Sequence, residues 1–191
     1  NDTLETCRSF SLVYLDDIIV FSESFDAHLH HLERVLSCLK MRNLILNPPK
    51  CVLAAHDIDY LGHTISQTRV TPMREKIEAI LKIQEPQTLS QANKFIGALS
   101  WYRKFLPHFA TVAAPIHAVT NLTKAHRRNF KWLHAQSQAF KRLKQMLVTE
   151  PLFLHYPVAD LPLILTTDAS NLGIGGVLQQ EVNGELRTLY Y

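Results

Sequence analysis

The sequence predicts an α+β chain in three stretches: an acidic hairpin with a helix and short strands, a helical middle, and a closing run of strands. Three observations predict it. The run SFSLVYLDDIIVFS (9–22) sets Asp16 and Asp17 between two short segments of β-branched and aromatic residues. Beyond Pro72 the apolar residues recur at spacings of three and four. The period then returns to that of strands in LPLILTTDAS and in LGIGGVLQQEVNGELRTLYY, where Asn183-Gly184 marks a hairpin turn.

The opening hairpin is expected to be a pair of largely buried strands, 12–15 and 18–21, with the two aspartates as the bend between them. Asp-Asp is poor turn chemistry, since it supplies no glycine for positive φ. Two carboxylates crowded into an apolar frame repel each other and lose hydration, at a cost of several kcal/mol if they leave water. A divalent cation removes that cost, and Mg²⁺ is held in this way by one or two carboxylates plus substrate phosphates. The plainer alternative is a solvated acidic turn.

Next, SFDAHLHHLERVLSCLKMRNL places Leu29, Leu32, Leu36 and Leu39 on one face of a helix capped by Ser24 or Asp26. His28, His30 and His31 read as solvated helix histidines rather than ligands, for no carboxylate pattern accompanies them. LILNPPKCVLAA reads as a short strand broken by Pro48 and Pro49, and DIDYLGHTISQTRVTP as a strand pair. Gly62 in the first of that pair signals a bulge or a close approach of another backbone.

REKIEAILKI presents Ile77, Ile80 and Leu81 on one helical face. TLSQANKFIGALSWYRKFL presents Phe95, Leu99, Tyr102 and Leu106, with Thr88 or Ser90 as cap and Pro86 and Pro107 as bounds. A further helix is expected over 134–148. The apolar strand that follows ends at Asp168, and the last unit is expected to be cut short, with no helix to cover its sheet.

The net charge of +3 hides an asymmetry: 86–149 contains no acidic residue but has Lys94, Arg103, Lys104, Lys124, Arg127, Arg128, Lys131, Lys141, Arg142 and Lys144. Such a stretch invites a polyanion. Trp101, Tyr102, Phe105, Phe109, Phe130 and Trp132 are interleaved with those cations, a combination suited to gripping nucleic acid; the alternative is an aromatic core face behind a solvated basic one. Cys7, Cys38 and Cys51 are too few and too scattered for a disulfide framework or a structural zinc site. No apolar run is long enough to span a membrane and the start lacks signal-peptide character. An intracellular, cytoplasmic or nuclear, unsecreted protein is the expectation.

VYLDDIIVFS, LNPPKC, YLGHTIS and FIGALSWYRKFLPHFATVAAPI, in this order, resemble the reverse transcriptase of gypsy-type long-terminal-repeat retrotransposons and their retroviral relatives. FKWLHAQSQAFKRLKQMLVTEPLFLHY and LILTTDASNLGIGGVLQQ resemble the part of that polyprotein leading into ribonuclease H. The resemblance covers essentially the whole chain. It implies part of a polymerase palm over 1–71, a basic helical thumb over 72–122, and a connection with a truncated start of a ribonuclease H-like α/β domain over 123–191.

Its implied activity is RNA-directed DNA polymerisation, nucleotidyl transfer to a primer 3′-hydroxyl assisted by two Mg²⁺ ions, with Mn²⁺ as the alternative ion. Asp16 and Asp17 are the implied catalytic metal ligands, Lys50 the residue that protonates or stabilises the leaving pyrophosphate, and Asp168 the first carboxylate of the ribonuclease H centre. Tyr14 would lie against the primer end. Leu61, Gly62 and His63 would form the primer grip, and Lys94, Arg103 and Lys104 would hold the template–primer duplex. The implied partners are RNA and DNA strands, deoxynucleoside triphosphates, and polymerase and ribonuclease H segments of the parent polyprotein on either side. Because the family's further metal-binding aspartate and fingers precede these motifs, the 191 residues alone are expected to be inactive. The competing class is a non-catalytic, co-opted remnant that binds nucleic acid. A palm-type nucleotide cyclase is disfavoured, since Leu15-Asp16-Asp17 replaces its glycine-rich acidic turn and the basic helices would have no purpose.

Overall fold

The computed structural model describes residues 2–120, 122, 130–149, 152–171 and 173–191. Lys124, Arg127 and Arg128 of the basic stretch lie outside the described residues. Contacts divide the chain into two compact units, Asn1–His56 and Asp57–Tyr191.

The first unit opens with a 3-10 segment, Asp2–Cys7, and continues into strands β1 (Ser11–Tyr14) and β2 (Asp17–Val20). They pair antiparallel with Ser11 opposite Val20 and Tyr14 opposite Asp17. Helix α1 (Phe25–Met41) follows, its Ser24 side chain accepting the Ala27 N–H as predicted for an N-cap. Val35 and Leu39 of α1 meet Leu4, Cys7 and Phe10 in a small core, against which Val13, Ile18 and Val20 pack.

Four expectations are corrected here. The hairpin strands are buried on one face only, with Leu12 56% exposed, because the unit has a single helix to cover them. Residues 44–47 form no strand either: Pro48–Lys50 is a 3-10 turn in which the Lys50 N–H reaches the Asn47 carbonyl, and the two prolines have no N–H for a ladder. The apolar face of α1 is likewise divided, Leu39 buried and Leu29 and Leu36 exposed. The histidines are not simply solvated. His31 stacks on Phe10 at 3.9 Å, and its Nδ1 and that of His28 both lie within hydrogen-bond distance of the Ser22 hydroxyl, tying the end of β2 to α1.

The second unit begins with β3 (Ile58–Tyr60), β4 (His63–Ile65) and β5 (Arg69–Pro72), three strands where a pair was expected. With β6 (Leu154–His155) they make an antiparallel sheet in the order β3-β4-β5-β6. That pairing places 57–71 in the same compact unit as the helices, which begins at Asp57.

Helices α2 (Arg74–Leu81), α3 (Leu89–Ser100), α4 (Phe109–His117) and α5 (His134–Thr149) supply the larger core. Phe95, Leu99, Leu106, Ile116 and Leu143 are at its centre. Thr88 and Gln91 form a reciprocal capping box at the start of α3. The sequence period runs on through Leu106, yet α3 stops at Ser100: the chain tightens into i→i+3 bonds, Tyr102 to Leu99 and Phe105 to Tyr102, which turn it toward α4. Pro115 is accommodated in the last turn of α4.

Strands β7 (Ile164–Ser170), β8 (Gly173–Val182) and β9 (Glu185–Tyr190) form a meander, with Asn183 and Gly184 both at positive φ in the two-residue turn the sequence predicts. β7 continues two residues past Asp168, with that residue opposite Gly175. The buried Gln180 side chain of β8 accepts the Val158 N–H and donates to the carbonyls of Val158 and Leu161, pinning that loop to the sheet.

Candidate active-site hairpin and nucleic-acid interface

The tip of the first hairpin differs from the expected one by one residue. Since Tyr14 pairs with Asp17, the bend is Leu15-Asp16, and Asp17 is the first residue of β2. Leu15 has φ +52°, a region that costs an L side chain about 1–2 kcal/mol. The result is an exposed tip of Tyr14, Leu15, Asp16 and Asp17, with Tyr14 51% and Leu15 81% exposed. Both carboxylates face water in this structure, so they are an accessible pair of hard oxygen donors rather than a buried one. Hard oxygen ligands of this kind suit Mg²⁺, which keeps water and substrate phosphates in the rest of its octahedron. Among the described residues no group of three or more His, Cys, Asp or Glu side chains converges. Asp168 stands exposed on β7, and Lys50 is exposed in its 3-10 turn.

In the second unit, Leu61 and Gly62 are the two central residues of the β3–β4 turn, both at positive φ (+48° and +80°). Gly62 is therefore a turn residue rather than a strand bulge, and what approaches it closely is a pair of side chains rather than another backbone. The Tyr102 hydroxyl donates to the Gly62 carbonyl at 2.9 Å, and Trp101 Nε1 donates to that of Leu61 at 3.2 Å. A Cβ on Gly62 would stand 3.1 Å from the Tyr102 hydroxyl and 3.2 Å from Trp101 Nε1. The neighbouring groups here are thus a phenol and an indole from the residues just past α3. Sequence reasoning missed this clasp, having placed Tyr102 on a helix face and Trp101 among nucleic-acid contacts.

His63 is 8% exposed, with its ring among those of Trp101, Tyr102 and Phe105 at 5.6 to 5.9 Å. Its Nδ1 lies 3.0 Å from the Leu61 carbonyl, and its buried Nε2 has no protein partner. Burial, and then the charge of Lys104, hold its pKa below the ordinary histidine value. A ring so enclosed supports the turn from within.

The basic helices are less uniform than the sequence suggests. Of the six interleaved aromatics, Tyr102, Phe105 and Phe109 are core residues, Phe130 and Trp132 are half-buried, and Trp101 is 57% exposed. Lys144 donates to the carbonyls of Leu81 and Ile83 and lies over the Phe140 ring, so it closes the end of α2. Lys104 is half-buried over Phe105, and desolvation lowers its pKa. Lys94, Arg103, Lys131, Lys141 and Arg142 are exposed and remain the surface able to meet phosphates.

Comparison with known proteins gives three findings. Residues 1–65 match the family model described as "Reverse transcriptase (RNA-dependent DNA polymerase)", and residues 132–191 the one described as "RNase H-like domain found in reverse transcriptase". The chain is 34% identical over 177 residues to the Transposon Tf2-3 polyprotein of Schizosaccharomyces pombe and 33% identical to the Tf2-7 polyprotein. Those matches cover 93% of this chain but 13% of the relatives' length. Solved structures of the foamy viral protease–reverse transcriptase, one in complex with double-stranded DNA and one with RNA/DNA hybrid, share the fold at TM-scores of 0.82 and 0.79 and 23% identity. They match along all of this chain and along 32% and 25% of theirs.

Proposed function

We propose that this chain, a reverse transcriptase and ribonuclease H-like segment of the kind found in long-terminal-repeat retrotransposon polyproteins, supplies the acidic hairpin and part of the duplex-holding surface of an RNA-directed DNA polymerase. The observation that carries the reading is the exposed tip Tyr14-Leu15-Asp16-Asp17, displayed by a two-residue bend inside the stretch that matches the polymerase family. The gypsy-type assignment is part of the proposal and rests on the order of the motifs.

Asp16 and Asp17 would hold the catalytic Mg²⁺ or Mn²⁺. When bound, such ions lower the pKa of a primer 3′-hydroxyl and neutralise charge on the phosphates of a deoxynucleoside triphosphate. The chain's own residues would position the strands. Tyr14 offers an exposed ring beside the carboxylates, on which the last primer nucleotide can rest. The Leu61–Gly62 turn, fixed by Trp101 and Tyr102, would hold the primer backbone. Lys94 and Arg103 would contact the phosphates of the template–primer duplex, and Lys50 would steady the leaving pyrophosphate. Asp168 would serve the ribonuclease H centre together with carboxylates from elsewhere in the parent polyprotein. The site of action would be intracellular, in cytoplasm or nucleus, where template RNA and nucleotides meet.

The test is primer extension on an RNA template with Mg²⁺, using the longest form its coding sequence provides, with Asp16→Asn as control. Extension that falls at least 100-fold with Asp16→Asn supports the assignment, a drop of the order that loss of one preorganised charged group produces. A folded protein that binds duplex, yet shows no extension above the Asp16→Asn background, would replace it with a binding role.

A further inference from the structure

Cys7 and Cys38 are 31 positions apart, and their spacing offers no reason to pair them. The fold brings them together. Cys7 ends the opening 3-10 segment, Cys38 lies on α1, and α1 packs on that segment with the two Sγ atoms 4.0 Å apart. The Thr6 hydroxyl lies 3.8 Å from one sulfur and 3.9 Å from the other. Both residues are free thiols; Cys7 is fully buried and Cys38 is half-buried. Among the described residues no three metal-binding side chains converge.

We propose that Cys7 and Cys38 are a thiol–disulfide exchange site whose co-reactant is a low-molecular-weight disulfide of the oxidised-glutathione class. The accessible Cys38 thiolate attacks one sulfur of that disulfide, forming a mixed disulfide and expelling one small thiolate. The Cys7 thiolate then attacks the Cys38 sulfur, forming the Cys7–Cys38 bond and releasing the second small thiolate. Each protein thiol gives its proton to a released thiolate, so two protein thiols are oxidised and one small disulfide is reduced to two thiols. The protein sulfurs must close by about 2 Å to reach bonding distance.

The bond would bear on the acidic hairpin. The Cys7 carbonyl accepts the Phe10 N–H at 3.1 Å and the Ser11 hydroxyl at 2.8 Å, and Ser11 is the first residue of β1. Joining Cys7 to Cys38 ties α1 to the anchor of that strand and restricts the unfolded chain, so the oxidised form unfolds at higher temperature. A reducing compartment reverses it, as befits a regulatory rather than structural disulfide.

The experiment incubates the 191-residue chain, carrying Cys51→Ser so that its exposed thiol is silent, with oxidised glutathione, and maps non-reduced peptides by mass spectrometry. The expected result is loss of both remaining thiols, an intramolecular Cys7–Cys38 peptide, and a melting temperature that rises on oxidation and returns with dithiothreitol. The same reaction in denaturant should leave glutathione mixed disulfides in place of the pair. Adding Cys38→Ser should leave Cys7 unmodified in the folded chain. A folded protein that carries glutathione on Cys38 with Cys7 still free, that pairs only between molecules, or that does not react overturns the proposal.

Discussion

Gly62→Ala tests whether the clasp around the β3–β4 turn is a real energetic feature. Two costs add at this position. An alanine at φ +80° suffers the left-handed penalty of about 1–2 kcal/mol. Its Cβ would also press on the Tyr102 hydroxyl at 3.1 Å, endangering a hydrogen bond of about 0.5–1.5 kcal/mol. The expected destabilisation is about 2–3 kcal/mol, which with a urea slope near 2 kcal/mol per molar lowers the midpoint by about 1 M. Gly184→Ala is the internal control, since it shares the positive φ of +78° but a Cβ there meets nothing within 4 Å. It should cost the strain alone, about 1–2 kcal/mol. Tyr102→Phe leaves the Gly62 carbonyl with its Met73 N–H bond at 3.0 Å, so it should cost no more than about 1 kcal/mol. Combined with Gly62→Ala it should cost less than the sum, because the hydroxyl that opposes the new methyl is gone. The assay is urea unfolding followed by tryptophan fluorescence. If Gly62→Ala costs no more than Gly184→Ala, or the double variant is additive, the clasp contributes nothing beyond backbone strain.

Four further outcomes follow from the same structure. His63 has its pKa lowered in the folded chain, so the unfolded chain binds the extra proton first: stability present above about pH 6.5 should decline as pH falls below that value. His63→Leu should remove part of that slope in pH-dependent melts, and His155, which is lowered as well, should contribute in the same direction. The Glu85 carboxylate accepts hydrogen bonds from the Ser137 hydroxyl and Trp132 Nε1, which lower its pKa, so the Trp132 fluorescence change on acidification should come below the usual glutamate range and vanish in Glu85→Gln. Lys94→Ala and Arg103→Ala should each weaken duplex binding and reduce the slope of log affinity against log salt by about one. Lys144→Ala should lower stability and leave that slope unchanged, because its ammonium is engaged by backbone carbonyls.

Local chemistry settled much of this protein in advance. The β-branched segments on either side of Asp16 and Asp17, the Ser24 and Thr88 caps and the Asn183-Gly184 turn act between residues close in sequence, and the fold contains the two strands, the two caps and the turn, though not the expected burial or bend of the first hairpin. The acid-free stretch over 86–149 is likewise a property of the sequence itself. What no local rule could supply was decided by packing between distant residues. Which aspartate occupies the bend depends on strand register, and register depends on which faces the small core covers. That Tyr102 and Trp101 hold a turn 40 residues earlier, that Lys144 closes α2, and that Cys7 meets Cys38 follows from tertiary contacts alone. A side chain's residue type fixes the chemistry it can perform, and only its neighbours in space determine whether it faces the core, another part of the chain or solvent.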